Sequence, residues 1–200
     1  AEQVEKLVKV YKNTKVDAQM LKDADVDAVI LAIGSSPITI KLEGMDKLQH
    51  ASAPEVLRHE VCPKGKVAVI GGGLVGLETA DTLATDGCDV TVLEMKDEIG
   101  SDLGSLRKIA VMMKLQQMQV KMLPNSKVCK FTEEGIVLED ETLVPCNCAV
   151  FAVGFASNDS HLLVEECEKR QIPCRVIGDA KSARRALDAI AEGFEAARTL

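Results

Sequence analysis

The chain has 200 residues, 46% hydrophobic but only 2% aromatic, with no Trp and a formal net charge of −7. That is enough apolar material for a core built from Val, Ile, Leu, Ala and Met, a palette that suits parallel sheet covered by helices. Few aromatics and a negative charge argue against a single-strand stacking platform and a phosphate-backbone binder. No apolar run is long enough to span a bilayer and no signal peptide is apparent, so no membrane role is expected and the location expected is cytoplasmic.

In chain order, residues 2–13 carry Val4, Leu7, Val8 and Tyr11 at a helical period. Residues 15–19 read as a short strand, 23–27 as an acidic turn, and 28–33 as a buried strand ending at Gly34-Ser35-Ser36-Pro37. An irregular connection over 38–49 leads to a short helix over 53–58 and the turn Pro63-Lys64-Gly65. Residues 67–70 form a short apolar strand, Gly71, Gly73 and Gly76 stand at Gly-x-Gly-x-x-Gly spacing, and helix formers run over 74–85 until Gly87. A second strand follows over 89–93 and is closed by Glu94.

Beyond it, Gly100 and Gly104 interrupt a polar loop. A helix over 106–118 is expected to turn Ile109, Met112, Met113 and Leu115 inward. A strand over 120–123, a hairpin of 127–132 with 135–138 and a buried strand over 148–153 ending at Gly154 come next. A helix over 161–170 presents Glu165, Glu166 and Glu168 as solvated charges, and a short strand ends at Gly178-Asp179-Ala180. The last helix, 182–197, has Ala186, Ile190, Ala191 and Phe194 as its apolar stripe.

The unit over 66–95 is a complete β-α-β dinucleotide-binding pattern. Gly71 permits the strand-to-helix turn, Gly73 lets a pyrophosphate approach the backbone, and Gly76 lets helix and strand pack closely. The first N–H groups and positive end of the helix favour phosphate charge. Glu94 can accept from both hydroxyls of an adenosine ribose and would repel a 2′-phosphate, which favours NAD(H) over NADP(H). Lys96, two residues on, weakens that preference.

The seven Cys residues are scattered, with no Cys-x-x-Cys. Cys146 and Cys148 alternate into an apolar strand, which would place them on one side of it as two buried thiols rather than a redox or metal pair. His50, His59 and His161 show no partner pattern, and no nucleophile motif or metal-ligand set stands out.

Two apolar strands running into Gly34 and Gly154 flank the β-α-β unit almost symmetrically, as if a domain were inserted between two crossover strands. With the Gly178-Asp179-Ala180-Lys181 segment and the helix after it, this arrangement resembles the glutathione-reductase-like two-dinucleotide-domain flavoproteins. Within them it most resembles the C-terminal half of NADH:flavin oxidoreductases related to 2-enoate reductase, 2,4-dienoyl-CoA reductase and trimethylamine dehydrogenase. The resemblance implies an α/β fold: a Rossmann-like parallel sheet with helices on both faces and a β-hairpin or meander, inserted between remnants of an incomplete FAD-type domain. The boundaries expected are 1–58 for a flavin-domain remnant with the first crossover, 59–147 for the NAD(H) domain, and 148–200 for the second crossover and returning segment. A chain beginning at Ala1, with no earlier Gly-x-Gly-x-x-Gly, reads as a fragment of a larger flavoprotein.

By the same resemblance Gly71, Gly72, Gly73, Leu74, Val75 and Gly76 line the NADH pyrophosphate, and Glu94 meets the ribose. Glu78 lies near the nicotinamide, or is simply an acid favoured at a helix N-terminus. Gly34 and Gly154 mark the crossovers, and Gly154 either admits the nucleotide or merely ends a strand. Gly178 and Asp179 face a flavin ribityl chain, with Asp179 equally suited to cap the helix behind it. NADH would deliver hydride to FAD and electrons would pass to FMN, with an iron–sulfur cluster, in a β/α barrel of the parent chain. Other readings are an NADH oxidase, a disulfide or electron-transfer reductase, or a non-catalytic nucleotide-binding module.

Overall fold

The computed structural model describes residues 2–200, and its chain divides into two compact units, Ala1–Ser36 with Ser157–Leu200, and Pro37–Ala156. The elements in order are helices α1 (Glu2–Leu7) and α2 (Ala18–Asp23), strands β1 (Val29–Leu31), β2 (Ser35–Pro37) and β3 (Gln49–Ser52), and helix α3 (Ala53–Leu57). Then come β4 (Lys66–Ile70), α4 (Leu74–Thr85), β5 (Asp89–Leu93), α5 (Ser105–Gln117) and β6 (Lys121–Leu123). There follow β7 (Val128–Thr132), β8 (Gly135–Leu138), β9 (Leu143–Pro145), β10 (Cys148–Phe151), β11 (Phe155–Ser157), α6 (His161–Lys169), β12 (Cys174–Val176) and α7 (Ala186–Thr199).

In Pro37–Ala156 five strands form a parallel sheet in the order β3-β10-β4-β5-β6. Side chains alternate across the strands. Val67, Val69, Val90, Val92 and Val150 pack with Val56, Leu77, Leu83 and Leu115 of α3, α4 and α5. Each Leu buried this fully is worth about 1.5–3 kcal/mol. Ala68, Ile70, Ala149 and Phe151 face the other way, onto Phe131, Ile136 and Val144 of an antiparallel β7-β8-β9 meander. The α/β, Rossmann-like class expected from the sequence is the one observed; within it the helices cover one face and the meander covers the other.

The register places the site. Ile70 pairs with Leu93 on one side and with Phe151 on the other. The segments leaving β4, β5 and β10 therefore emerge together at the carboxyl edge of the sheet. Gly71 N–H to the Leu93 carbonyl (2.8 Å) and Ala152 N–H to the Ile70 carbonyl (2.8 Å) extend the ladders by one step. The chain runs from β4 to β5 on one side and reaches β10 and β3 on the other, so this edge is a topological switch point.

The unit boundaries differ from those expected. The segments 37–58 and 148–156, assigned from the sequence to flavin-domain remnants, lie in the central unit, because β3 and β10 complete its sheet. Strands β2 and β11 pair as a two-stranded sheet.

In the unit of Ala1–Ser36 with Ser157–Leu200, β1 and β12 pair in parallel. The Arg170 guanidinium donates to the carbonyls of Leu21 and Ala24 at the end of α2. Helix α7 packs on the Gly178–Ala180 turn through small residues: a Cβ on Gly178 would stand 3.2 Å from that of Ala189.

Several local expectations fail. Residues 15–19 are not a strand, because Asp17 accepts from Met20 N–H (2.8 Å) and starts α2 at Ala18. Helix α1 ends at Leu7 rather than 13. The strand read over 28–33 holds only Val29–Leu31, with Ile30 exposed. In α5, Ile109 and Met113 are both 58% exposed, and the inward face is Val111, Met112 and Leu115. Helix α7 starts at Ala186, later than expected, with Ile190 and Phe194 exposed. Glu166 is buried rather than solvated. Cys146 and Cys148 are both buried, but on opposite faces of the sheet, because Cys146 precedes β10 instead of alternating within it.

Candidate nucleotide-binding site

At the carboxyl edge of β4 the backbone turns sharply into α4. Gly71 has φ +109°, a conformation side chains rarely adopt, and a Cβ there would run into the Ala152 carbonyl. A Cβ on Gly76 would run into the carbonyl of Gly71, with its carbon at 2.9 Å. These contacts give the first and third glycines of the motif their reasons: one turns the chain, the other lets the first turn of α4 press onto the loop. Gly73 is different. Its φ of −79° is open to any residue, and a Cβ there would meet only the Asp102 carboxylate, at 3.2 Å. Its missing side chain leaves room for that carboxylate rather than for a turn of the backbone.

The turn borders a cleft of about 520 Å³. Among its lining residues are Gly71, Gly73, Leu74, Val75, Glu94 and Gly154, all expected from the sequence. Ile40, Leu42 and Val128 add an apolar wall, and Lys96 and Lys127 add positive charge. Gly72 and Gly76 are buried behind the turn. The Lys127 ammonium is 2.6 Å from Glu139, which raises its pKa.

Glu94 is half-buried and pinned. Its Oε2 accepts from Gly72 N–H at 2.7 Å, and its Oε1 from Lys96 N–H at 3.0 Å. A carboxylate has about four acceptor sites, so an oriented pair of lone pairs is left for a diol. At the start of α4, Leu74 N–H donates to both oxygens of Asp102, at 3.1 and 3.0 Å. Sequence spacing did not single out Asp102. The available signal was the pair Gly100 and Gly104 around it, which marks a loop but does not tell that the loop folds back.

Glu78 stands outside the cleft lining. Its Oε1 accepts from Arg107 of α5 at 2.8 Å, on the side of α4 facing that helix. Gly34, Gly178 and Asp179 belong to the other unit. There Asp179 accepts from the Ser35 hydroxyl (3.2 Å) and from Arg184 N–H (3.2 Å), ahead of α7, whose N-cap is Arg185 with Asp188 and not Asp179. Gly178 N–H donates to Glu192 (2.7 Å), which also meets Arg184 (2.6 Å) and Lys181 (3.2 Å). The Arg184 guanidinium, then the Gly178 N–H, hold the Glu192 carboxyl down at about 2. Among the described residues no three His, Cys, Asp or Glu side chains converge as metal ligands, and no helix is long and apolar enough to cross a membrane.

The sequence pattern of the pyridine nucleotide-disulphide oxidoreductases matches residues 2–180. The chain is 36% identical over 191 residues to the bilirubin reductase of Mediterraneibacter gnavus, covering 92% of this chain and 29% of that one. It is 34% identical over 201 residues to the cinnamate reductase of Clostridium sporogenes, covering 96% and 29%. A 2-naphthoyl-CoA reductase in complex with 2-naphthoyl-CoA has the same fold, with a TM-score of 0.88 at 24% identity over 100% of this chain and 31% of that one. The chain thus spans about 30% of the length of these relatives. With its Gly-rich turn at the sheet's carboxyl edge and this match over most of its length, the chain belongs to the pyridine nucleotide-disulphide oxidoreductase family, a family of pyridine-nucleotide flavoprotein oxidoreductases.

Proposed function

We propose that Pro37–Ala156 binds NADH so that it can reduce a flavin, within an alkene-reducing enzyme of the enoate or 2,4-dienoyl-CoA reductase type. The observation that carries this reading is the paired arrangement of the Gly71–Gly76 turn and the pinned Glu94 carboxylate along one cleft. The turn offers backbone N–H groups at a positive helix end to a pyrophosphate. Glu94 offers its remaining lone pairs to an adenosine ribose. Ile40, Leu42 and Val128 would shield the adenosine from water. Lys96 and Lys127 line the same cleft as Glu94, so NADPH should be disfavoured rather than excluded.

In support of an anion site, the Leu74 N–H already holds an anion, the Asp102 carboxylate, which lies beside the missing side chain of Gly73. NADH bound there would supply a hydride to FAD. For the flavin itself this chain offers the Gly178–Asp179 turn, braced by Ser35, Arg184 and Glu192, but no second Gly-x-Gly-x-x-Gly for its pyrophosphate. No residue of this chain is assigned to FMN or an iron–sulfur cluster. The nicotinamide role expected for Glu78 would require it to leave Arg107. The alkene-reducing class is supported by the relatives named bilirubin reductase and cinnamate reductase.

Calorimetric titration with NADH, NADPH and FAD in parallel tests the assignment. Saturable NADH binding tighter than NADPH binding is expected. FAD binding that Gly73→Ala abolishes, with no NADH binding, would mean that the turn serves the other cofactor.

A further inference from the structure

Two N–H groups of the Gly-rich turn that could face a ligand are already in use. Gly72 N–H is bonded to Glu94 and Leu74 N–H to both oxygens of Asp102. The second contact is not part of the β-α-β pattern. It comes from the loop between β5 and α5, and that loop is tied to the turn it covers. Ile99 is buried in the core under α4, Gly100 N–H donates to the Gly72 carbonyl at 2.7 Å, and Leu103 packs against the same core. Held at these points, the loop delivers a negative side chain to the positive end of α4, where a carboxylate is favoured. The Asp102 Oδ2 also lies 3.2 Å from where a Gly73 Cβ would be, within the space that the missing side chain leaves open.

We infer that Asp102 is a built-in competitor of the dinucleotide: it holds the pyrophosphate's place in the free protein and must swing aside for binding. The inference rests on the reading of this cleft as the NADH site. The Leu74 N–H is already shared between the two Asp102 oxygens, and a phosphate brought to the same N–H would repel that carboxylate. Part of the attraction between the turn and the pyrophosphate is therefore spent on releasing Asp102. In exchange, the free protein keeps its turn ordered and its first helical N–H satisfied. Asp102 is thus an affinity-setting residue that opposes the ligand.

The test compares Asp102→Asn and Asp102→Ala with the unchanged protein by NADH calorimetry and thermal unfolding. Asp97→Asn, a loss of charge in the same loop without the Leu74 contact, serves as control. A carboxylate cap at a helix N-terminus is worth enough to predict NADH binding about 3–30-fold tighter in both Asp102 variants. Their unfolding temperature should fall or stay level, and Asp97→Asn should change neither quantity. A residue that merely supported the site would lower affinity and stability together, so tighter binding in a less stable protein is the distinguishing signature. Unchanged or weaker NADH binding in folded Asp102 variants overturns the competitor role and leaves the NADH site standing. Equal tightening by Asp97→Asn overturns it as a general charge effect. Absence of NADH binding in the unchanged, folded protein overturns the site assignment, and the competitor role with it.

Discussion

Replacing Gly73 with Ala should separate binding from folding. The backbone of Gly73 (φ −79°, ψ −173°) accepts any residue, and the added methyl meets only the end of a side chain, the Asp102 carboxylate at 3.2 Å. The folding cost is then that of Ala against Gly at an N-cap, roughly 1 kcal/mol or less. The same methyl stands where the pyrophosphate must approach the backbone. Losing one charge-assisted hydrogen bond there costs about 1.5–3 kcal/mol, a rise in NADH Kd of about 10–150-fold. Gly71→Ala makes the opposite trade. It forces φ +109° on a residue with a Cβ and drives that Cβ into the Ala152 carbonyl. Backbone strain of this kind costs about 1–3 kcal/mol before the clash is counted, and it falls on folding. Urea unfolding and NADH calorimetry on both variants read the two effects separately. The reasoning fails if folded Gly73→Ala binds NADH as the unchanged protein does, or if it loses as much stability as Gly71→Ala.

Glu94→Ala should weaken NADH binding by about 1.5–3 kcal/mol and narrow the gap between NADH and NADPH; a full titration with each nucleotide checks this, and an unchanged NADH Kd removes the ribose role. Thiol reactivity should split by burial: Cys62 and Cys129 are exposed, whereas burial pushes Cys146 and Cys148 up to about 11. At pH 8 only about one in a thousand of the buried pair is thiolate, so brief alkylation read by mass spectrometry should label Cys62 and Cys129 and spare Cys146 and Cys148. Glu192, held at about 2 by Arg184 and the Gly178 N–H, is depressed on folding. Its contribution is present above the ordinary carboxylate pKa and is lost as pH falls toward 2. Melting temperatures between pH 5 and 2.5 should therefore fall more steeply in the unchanged protein than in Glu192→Gln; parallel curves would show that the clamp contributes nothing.

The readable parts of the sequence were those in which each residue answers to its immediate neighbours. Helix α4 and strand β5 have the limits expected of them, Leu74–Thr85 and Asp89–Leu93. At the turn between β4 and α4, Gly76 answers to the Gly71 carbonyl within the same turn, and Gly71 to its own positive φ. Where a residue's place depends on a distant partner, the pattern was ambiguous. Helix α5 carries apolar residues on more than one face, and packing against Leu77 and Leu103 selects Val111, Met112 and Leu115 over Ile109 and Met113. In α7 the large apolar residues stay exposed while Ala189 and Gly193 approach the Gly178 turn and Ile177, because close packing onto a turn calls for small side chains that a hydrophobicity stripe overlooks. The limits of the compact units differ from the expected domain limits for a related reason. Ala51 and Val69 both pair with Val150, and nothing local in either strand announces a partner so far along the chain.

Asp102 belongs to that second class, and its case shows what a motif leaves out. The Gly-x-Gly-x-x-Gly pattern describes donors, and it is silent on what those donors bind before a ligand arrives. Buried or half-buried N–H groups at a helix start do not stay unsatisfied when a carboxylate is within reach. A loop that leaves the neighbouring strand, is anchored by Ile99 and Gly100, and carries an Asp two residues later brings that carboxylate to them. The strength of such a site is then set by a difference: the attraction of the turn for a pyrophosphate less its attraction for the chain's own acid. A loop that no motif includes can change that difference while every glycine remains in place.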